Sequence, residues 1–493
     1  MEAQTPPPGA TALDLDAPTR RRLWEEVTDV LEGHRNDIAH RRIAPDSPPE
    51  RVRQRFDRLD ALAPMTPDAA LRFVAEGLSE DQLHAAHPRY FGLFVPAPSD
   101  IGVIADALAS GFNPQLASWG HAPFGVEAEQ WVVRTLGTRL GYPVGEIEGT
   151  ITSGGSEANL TGLLAALYHT WPDALTEGLQ AVPRRPSIYL SVDAHDSWRK
   201  AARVSGLGES SLRWVPCDDR PRMDIEALRR CLAEDRRCGW TPFLVIATVG
   251  STASGGVDPL PAIADVARRQ GLWLHADAAW AGAAALTTRH REAVIGLPLS
   301  DSLTLDPHKW LSSPMGAGVY LSRRVGALRS AFSTTPRYLP AGPSDDPVTE
   351  PYQESLQWSR RFNGLKILMT LITAGWAGIE DAIHGNFVLA DRLRRLLPDR
   401  GWRVLNRTPL PVVCFRDGRG NDARCAEEIV AAVNRQGLSW VSLARMPDGT
   451  AAIRACVANH RTTRHDVDIL LHELDTARES ARGPTGAVRG GRE

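Results

Sequence analysis

The chain has 493 residues, of which 43% are hydrophobic and 23% charged, and it carries a formal net charge of −3 at pH 7. A chain of this length can bury a large core and should contain more than one domain. Its near-neutral charge, without a long basic run, argues against nucleic acid as a partner. No run of about 18 apolar residues could cross a bilayer, and the first residues lack the apolar core of a signal peptide. We therefore expect neither a nucleic acid nor a membrane as partner.

The cysteines are scattered through the chain. None lies in a Cys-x-x-Cys motif, and no group of His and Cys has the spacing of zinc ligands. This pattern predicts no metal site and a reducing, cytoplasmic location.

The N-terminal region should begin as a disordered stretch and continue as a helix. Residues 1–17 are rich in proline, and such a composition disfavours a packed structure. The pattern becomes helical from Pro18, with apolar residues along one face at Leu23, Trp24, Val27, Val30 and Leu31. An apolar face of this kind usually packs in the core. The alternative is an arm that clasps a second subunit.

The middle of the chain alternates strands with helices. The candidate strands are residues 187–192, 212–216, 243–249, 272–276, 302–305 and 317–321. Helical patterns lie between several of them, for example over residues 260–270. This alternation predicts an α/β layered sheet whose ligands bind at the strand ends.

A long loop separates this region from a second domain. Residues 333–352 are rich in proline and poor in apolar side chains, and loops of this length tend to be functional lids or disordered. Residues 363–379 have the pattern of a buried helix. From about residue 383 the order is helix, two strands, helix, two strands and helix. The Gly- and Arg-rich end, residues 480–493, is expected to be a flexible tail.

A glycine-rich turn follows a short β-branched run. Residues 149–160 read Gly-Thr-Ile-Thr-Ser-Gly-Gly-Ser-Glu-Ala-Asn-Leu, and a helical pattern follows. Gly154 and Gly155 permit close approach to the backbone, and the Ser156 hydroxyl can donate to a phosphate oxygen. Free N–H groups and a positive helix end at one point form an anion site. The alternative is an ordinary glycine turn with a serine near the helix cap.

Two residues at later strand ends point to one cofactor. Asp277 lies in His-Ala-Asp-Ala-Ala-Trp, and Lys309 lies in Asp-Pro-His-Lys-Trp. Pyridoxal phosphate (PLP) needs a lysine for its Schiff base and an acidic partner for its pyridinium nitrogen. Each residue alone has a non-catalytic alternative. Most lysines are solvated surface charges, and an aspartate at a strand end can cap a helix. Together with the turn they favour a PLP site.

Read in order, Ser-Gly-Gly-Ser-Glu-Ala-Asn, Asp-Ala-His195, Asp-Ala-Ala-Trp and Asp-Pro-His-Lys-Trp resemble the group II PLP-dependent decarboxylases, the family of aromatic-L-amino-acid, histidine and glutamate decarboxylases. The resemblance covers about residues 90 to 460. It implies an α/β fold-type-I PLP-dependent enzyme with a large, mostly parallel seven-stranded sheet domain, a small C-terminal α/β domain and an N-terminal helical arm. It also implies a homodimer with its active site at the subunit interface.

On this basis we expect four segments: residues 1–95 as the helical dimerisation segment, 96–382 as the PLP-binding domain, 383–479 as the small domain and 480–493 as the tail.

The resemblance assigns further residues to the cofactor. It implies that His195 stacks on one face of the ring and Ala279 packs against the other, with Thr248 nearby and His308 reaching the phosphate. His195 could instead be a loop histidine bonded to the backbone. The expected cofactor-binding residues are thus Gly154, Gly155, Ser156, His195, Thr248, Asp277, Ala279, His308 and Lys309. The family often has asparagine where this chain has Asp306, and because a carboxylate repels phosphate we expect Asp306 to point elsewhere or cap a helix.

Tyr338 lies in the proline-rich loop and matches the loop tyrosine that, in aromatic-amino-acid decarboxylases, returns a proton to Cα. A general acid on a closing lid is physically sensible, because closure excludes water. Relatives with phenylalanine here form aldehydes oxidatively, so tyrosine favours simple decarboxylation. The alternative is a loop tyrosine anchored by its ring. The expected catalytic residues are Lys309, Tyr338 and His195.

Other residues are candidates for the substrate pocket. The segment His-Pro-Arg-Tyr-Phe-Gly-Leu-Phe resembles the wall of that pocket in the family, although its aromatic residues could equally be core. Arg454 matches an arginine that can face a substrate carboxylate, or it makes only an interdomain ion pair. The expected substrate-binding residues are Tyr90, Phe91, Phe94, Trp119, His121 and Arg454.

The sequence therefore favours decarboxylation of an L-amino acid, most simply an aromatic one, to its amine and CO2. An acidic or diamino substrate stays open on the same scaffold. So do decarboxylation coupled to oxidative deamination and another lyase or aminotransferase reaction that uses PLP. A catalytically inactive PLP-fold protein is the remaining alternative, and the joint presence of Lys309, Asp277, His195 and Tyr338 argues against it.

Overall fold

The computed structural model describes residues 13–183, 185–334, 348–419 and 423–481. Tyr338 and most of the proline-rich loop lie outside the described residues. Within those ranges no helix is both long and apolar enough to cross a membrane.

From residue 13 onward, where the described part of the chain begins, five α-helices precede the first strand: α1 (Ala17–Asp37), α2 (Pro49–Phe56), α3 (Pro67–Glu80), α4 (Asp100–Phe112) and α5 (Pro123–Leu140). Helix α1 begins where Asp16 caps it, since that carboxylate accepts a hydrogen bond of 2.7 Å from Thr19 N and Pro18 occupies the first turn. None of its residues is buried. Its apolar face therefore does not pack in the core of the single chain, because Trp24 and Leu31 face solvent. The alternative, an arm that clasps a second subunit, stays a prediction.

The largest element is a seven-stranded sheet with the order β1-β7-β6-β5-β4-β2-β3. Its strands are β1 (Glu148–Thr152), β2 (Pro186–Ser191), β3 (Leu212–Val215), β4 (Thr241–Thr248), β5 (Trp273–Asp277), β6 (Ser302–Leu305) and β7 (Gly318–Ser322). The connecting helices are α6 (Gly155–Thr170), α7 (Ala174–Glu177), α8 (Ser197–Val204), α9 (Ile225–Arg237), α10 (Leu260–Gln270) and α11 (Ala327–Phe332). All six predicted strands are present, and their ends differ from the prediction by at most two residues.

The direction of the strands decides where a ligand can bind. Strand β2 pairs in parallel with β3 and β4, and β4, β5 and β6 continue the parallel order. Only β7 runs the other way, pairing antiparallel with both β6 and β1. The carboxyl ends of six strands therefore meet at one edge, as ligand sites in such sheets require. The predicted α/β class with a mostly parallel seven-stranded sheet is confirmed.

A second sheet, of four antiparallel strands in the order β10-β11-β9-β8, follows the long helix α12 (Gly364–Asp399). Its elements are β8 (Trp402–Val404), β9 (Val412–Asp417), α13 (Ala423–Gln436), β10 (Ser442–Arg445), β11 (Ala451–Cys456) and α14 (Arg464–Ala481). Helix α12 crosses the predicted boundary at residue 382 and is interrupted at Gly375, whose φ of 60° suits a residue without a side chain. The predicted buried helix is thus the first half of α12.

The four-stranded sheet has a hydrophobic core of its own, and one of its members comes from far away in the sequence. Phe91 packs in this core with residues of α12, α13 and α14. Its N–H donates to Trp440 O at 2.8 Å, and its carbonyl accepts from Cys456 N at 2.8 Å. The small sheet is therefore completed by the segment around Phe91.

Candidate active site

A cavity of about 340 Å3 opens at the carboxyl edge of the large sheet. All nine residues expected to bind the cofactor line it: Gly154, Gly155, Ser156, His195, Thr248, Asp277, Ala279, His308 and Lys309. A larger cleft of about 550 Å3 lies at the opposite edge, beside Trp273 and Asp301, but it holds none of the nine. The candidate active site is therefore identified by the convergence of the nine residues and not by the volume of the cavity.

Asp277 ends β5 and is held by two neutral donors. Its Oδ2 accepts hydrogen bonds from Asn159 Nδ2 at 2.9 Å and from Trp198 Nε1 at 3.1 Å. Both donors are buried, and Trp198 has 0% exposure. Because Oδ2 is occupied, Oδ1 is the oxygen left to face a ligand in the cavity, apart from a long contact of 3.4 Å from Ala279 N.

Neither Asn159 nor Trp198 was among the site residues predicted from the sequence. Asn159 lies within the glycine-turn motif, in α6, 118 positions before Asp277. Only the packing of α6 against the sheet brings the two residues together. Trp198 lies three residues after His195, in the first turn of α8, whereas His195 precedes that helix. No sequence pattern therefore linked Trp198 to the site.

A neutral histidine lies behind Asp277. His275 Nδ1 is 2.8 Å from Ser302 Oγ, and its Nε2 is 3.2 Å from Thr304 Oγ1. Burial lowers the pKa of His275 to about 4, although Asp277 acts in the opposite direction. The imidazole is therefore uncharged near neutral pH and supports the strand ends through hydrogen bonds.

The glycine turn presents the beginning of α6 to the cavity, which is the geometry of an anion site. A Cβ built on Gly155 would lie 2.7 Å from Asp306 Oδ2, and one built on Gly154 would lie 3.3 Å from His308 Cε1. Glycine at 155 is thus required by close packing against the segment that carries Lys309.

Lys309 and Asp306 form an ion pair at the floor of the cavity. Lys309 Nζ lies 2.9 Å from Asp306 Oδ2, and the Asp306 side chain is only 2% exposed. The expectation that Asp306 points elsewhere or caps a helix is wrong. Lys309, three residues later, balances the charge of the Asp306 carboxylate in the cofactor-free protein, so Asp306 can face the cavity.

His308 and His195 each use Nδ1 for a hydrogen bond to the backbone. His308 Nδ1 lies 2.7 Å from Ala317 O and 3.3 Å from Ala317 N. Burial lowers the pKa of His308, and Asp306 partly offsets it. His195 Nδ1 accepts from Ser197 N at 3.1 Å, which confirms a backbone bond and leaves Nε2 as the donor at the cavity.

None of the six expected substrate-binding residues lines the 340 Å3 cavity in the single chain. Phe91 is fully buried in the small core, and Tyr90 stacks on Trp440 with ring centroids 5.2 Å apart. The core alternative is therefore favoured for both. Phe94 stacks at 4.0 Å on Trp280, which does line the cavity and was missed from the sequence.

The other three candidates lie in hydrogen-bond networks outside that cavity. Trp119 N donates to Glu350 Oε2 at 3.1 Å, and His121 Nδ1 lies 2.9 Å from Ser118 Oγ. Arg454 is buried and donates to the carbonyls of Gly92, at 2.9 Å, and of Thr252, and to Ser442 Oγ at 2.9 Å.

No carboxylate partner of Arg454 occurs among the described residues, so the alternative of an interdomain ion pair is not found there, and the hydrogen bonds of Arg454 go to neutral acceptors.

These residues fit PLP. The Thr248 hydroxyl is buried and has no hydrogen-bond partner in the described part of the chain. A lysine, an aspartate with one oxygen free and a helix N-terminus converge on one cavity of suitable chemistry. With the mostly parallel seven-stranded sheet, this arrangement defines the class of fold-type-I PLP-dependent enzymes.

The similarity of the chain to known proteins identifies its family within this class of enzymes. The model described as the pyridoxal-dependent decarboxylase conserved domain matches residues 56–417. The chain is 29% identical to the aromatic-L-amino-acid decarboxylase of Bacillus atrophaeus over 476 residues, which is 95% of this chain and 97% of the relative. It is 31% identical to the human cysteine sulfinic acid decarboxylase over 405 residues, 79% of this chain and 82% of the relative.

Among solved structures, Oryza sativa TDC with PLP and tryptamine superposes with a TM-score of 0.89 at 25% identity, covering 95% of this chain and 99% of that one. The chain belongs to the pyridoxal-dependent decarboxylase family, and it is a PLP-dependent amino-acid decarboxylase.

Proposed function

We propose that the protein decarboxylates an aromatic L-amino acid to its amine. The observation that carries this proposal is the lining of the cavity: Trp280 forms part of its wall with Phe94 stacked behind it, and no arginine lines it among the described residues. An aromatic pair suits a planar apolar side chain. An acidic substrate would need a second cation, because a buried carboxylate requires a partner.

The chain's own residues divide the work as follows. We propose that Lys309 binds the cofactor aldehyde, that Asp277 Oδ1 keeps the ring nitrogen protonated, and that His195 and Ala279 enclose the ring. When bound, the cofactor supplies the sink for the electron pair of the breaking Cα–carboxylate bond. The hydrogen bonds of Asn159 and Trp198 to Asp277 fix the direction of its carboxylate.

Two other roles complete the proposal. Tyr338 donates the proton to Cα, as the sequence predicts. Arg454 holds Gly92 and Thr252 in place, and since Thr252 lines the cavity, this arginine shapes the site through the backbone.

We further propose that the protein is a homodimer. Several large apolar side chains are exposed on the N-terminal helices and the start of α5, and exposed apolar patches of this kind mark interfaces. They include Trp24, Leu31, Ile104, Leu108, Phe112 and Phe124. Ile104, Leu108 and Phe112 recur every four residues, so they share one face of α4. The cytoplasmic location stays a prediction from composition.

Light scattering of the purified protein tests the dimer. Phe112→Asp should yield monomers, because Phe112 is 82% exposed in the single chain and would lie in the interface. Val144→Asp is the matched control, since Val144 is 84% exposed and lies outside this face. Monomeric wild-type protein would contradict the proposal.

The substrate is tested by incubating the PLP-loaded protein with single L-amino acids and measuring CO2 release. Three sets are compared: aromatic amino acids, acidic ones including cysteine sulfinic acid, and diamino acids. We expect the highest kcat/KM for an aromatic amino acid, with amine as product. A preference for an acidic substrate would overturn the aromatic assignment and leave the decarboxylase class intact.

A further inference from the structure

Asp306 occupies an unusual position for an acidic residue. One oxygen, Oδ2, pairs with Lys309 Nζ at 2.9 Å. The other, Oδ1, is buried and has no hydrogen-bond partner in the described ranges. The side chain lines the cavity. A buried carboxylate oxygen without a donor is costly, so this one marks a place where a donor or a proton arrives.

The same carboxylate lies against the anion site. The position of a Cβ on Gly155, the first residue of α6, is 2.7 Å from Asp306 Oδ2 and 3.2 Å from Oδ1. A phosphate held by the N-terminus of α6 would therefore lie next to Asp306. Two anions would then share one helix end in a poorly solvated cavity, where their repulsion is only weakly screened.

The surrounding charges do not remove this conflict. Lys309 is the counter-ion of Asp306 in the cofactor-free protein. When Lys309 binds the cofactor aldehyde, its amine is bonded to the cofactor and is no longer a free ammonium group beside Asp306. His308 Nε2 is 3.8 Å from Asp306 Oδ2, and burial favours the neutral form of its ring. The remaining titratable or charged groups around the site are Asp277 and His195 in the cavity wall, Glu157 on α6, and Lys366 near His308.

These groups are already engaged or have the wrong sign. Lys366 Nζ donates to Met315 O at 2.7 Å and lies 3.3 Å from Asp106 Oδ2. Asp277 is itself an acid, and Glu157 accepts hydrogen bonds from Ser153 and Gln357. A proton from solvent is the remaining source of positive charge for Asp306 and phosphate together.

We propose that Asp306 couples the binding of the cofactor's phosphate to the uptake of one proton. The proton comes from water and lies between a carboxylate oxygen of Asp306 and a phosphate oxygen, so that the carboxyl O–H donates to the phosphate. The proposal rests on the phosphate site of the proposed function. It implies that the cofactor binds more weakly as pH rises.

The experiment compares PLP with pyridoxal, which lacks the phosphate, in the cofactor-free protein. Binding is measured calorimetrically in buffers of different ionisation enthalpy, which gives the number of protons taken up. Wild-type protein should take up about one proton more with PLP than with pyridoxal at about pH 8, because free phosphate is then a dianion. Reaction of the lysine contributes equally with both ligands and cancels.

The Asp306→Asn variant removes the carboxylate and supplies a neutral donor. It should lose the extra proton and bind PLP more tightly than wild type. The ratio of the two PLP dissociation constants should grow about tenfold per pH unit above neutrality. Affinity for pyridoxal should change by the same factor at every pH. Asp301→Asn is the matched control, since Asp301 is a buried carboxylate at the other end of β6.

Two results would overturn the proposal: no extra proton in the wild-type protein, or an extra proton that persists in Asp306→Asn. The first measurement needs no variant, so poor folding of Asp306→Asn does not block the test. Failure of the proposed function looks different. In that case borohydride would fix neither PLP nor pyridoxal to Lys309 in the wild-type protein.

Discussion

Replacing Trp198 with phenylalanine removes one of the two hydrogen bonds that direct the carboxylate of Asp277. The indole N–H lies 3.1 Å from Asp277 Oδ2, and the whole side chain is buried. Phenylalanine keeps most of the apolar contact but cannot donate. Only the hydrogen bond from Asn159 Nδ2, at 2.9 Å, then remains on Oδ2, so the orientation of the carboxylate is less fixed.

The size of the effect follows from the kind of hydrogen bond. A bond from a neutral donor to a charged acceptor contributes about 1.5–3 kcal/mol. If that free energy is lost from the orientation of Asp277 in the transition state, kcat falls about 10- to 100-fold. KM should change little, because Trp198 does not line the cavity where the substrate binds.

The assay measures kcat and KM by CO2 release, together with a pH titration of the absorption band of the lysine-bound cofactor. A shift of that titration reports on the charges and hydrogen bonds around the bound cofactor. A loss of stability alone would not cause such a shift. Trp402→Phe is a matched control, since Trp402 is buried in the small core and donates to Asp475 Oδ1 at 3.0 Å. Equal kcat values for the two variants would refute the reasoning.

Four further outcomes follow from the site and the core. Lys309→Ala should abolish turnover and the borohydride-stable attachment of PLP, which mass spectrometry detects; attachment that survives would disprove the assignment. Tyr338→Phe should still release CO2, but Cα without its proton donor should react with dissolved O2 and water to yield aldehyde, ammonia and hydrogen peroxide in place of amine. Unchanged amine without peroxide would show that the proton comes from another group. Phe91→Ala should lower the free energy of unfolding, measured with denaturant, by about 3–5 kcal/mol, because the Phe91 side chain is fully buried in the small core. Unchanged stability with a raised KM would instead place Phe91 in the substrate pocket. Burial depresses the pKa of His275 to about 4 in the folded protein. The contribution of the neutral imidazole to the free energy of unfolding is therefore present above the unfolded pKa of about 6.5 and is lost as pH falls toward 4. Unfolding at about pH 5 should need less denaturant than at about pH 7, and His275→Gln should reduce that difference.

The sheet and the cofactor site were predictable from the sequence for a common reason. A strand of a parallel sheet is buried on both faces, so it appears as a short run of apolar residues, as in β4. The residue that ends such a run must lie at the carboxyl edge. Thr248, Asp277 and the segment before Lys309 end successive strands, and their convergence follows from the order of the sheet.

The remaining details depend on packing that the sequence does not encode locally. The aromatic segment around Phe91 suits a pocket wall as well as a core. Only the backbone hydrogen bonds of Phe91 to Trp440 and Cys456 place it in the small core. Asp306 lies in the cavity because its carboxylate pairs with Lys309, and the sequence alone does not show that the two side chains meet. Trp198 could not be linked to Asp277, since the two residues meet only when α8 packs over the sheet.

The dependence of the small sheet on Phe91 has a consequence for synthesis on the ribosome. Gly92, the next residue, bonds through its carbonyl to Ser442, 350 positions later in the chain. At about 5–20 residues per second, the partners of this segment emerge roughly 20–70 s after it does. Throughout that interval the nascent chain carries an apolar segment without its binding surface. The large sheet can form co-translationally, whereas the small sheet must wait for the release of the last helices, and chaperone demand should be concentrated in the segment around Phe91.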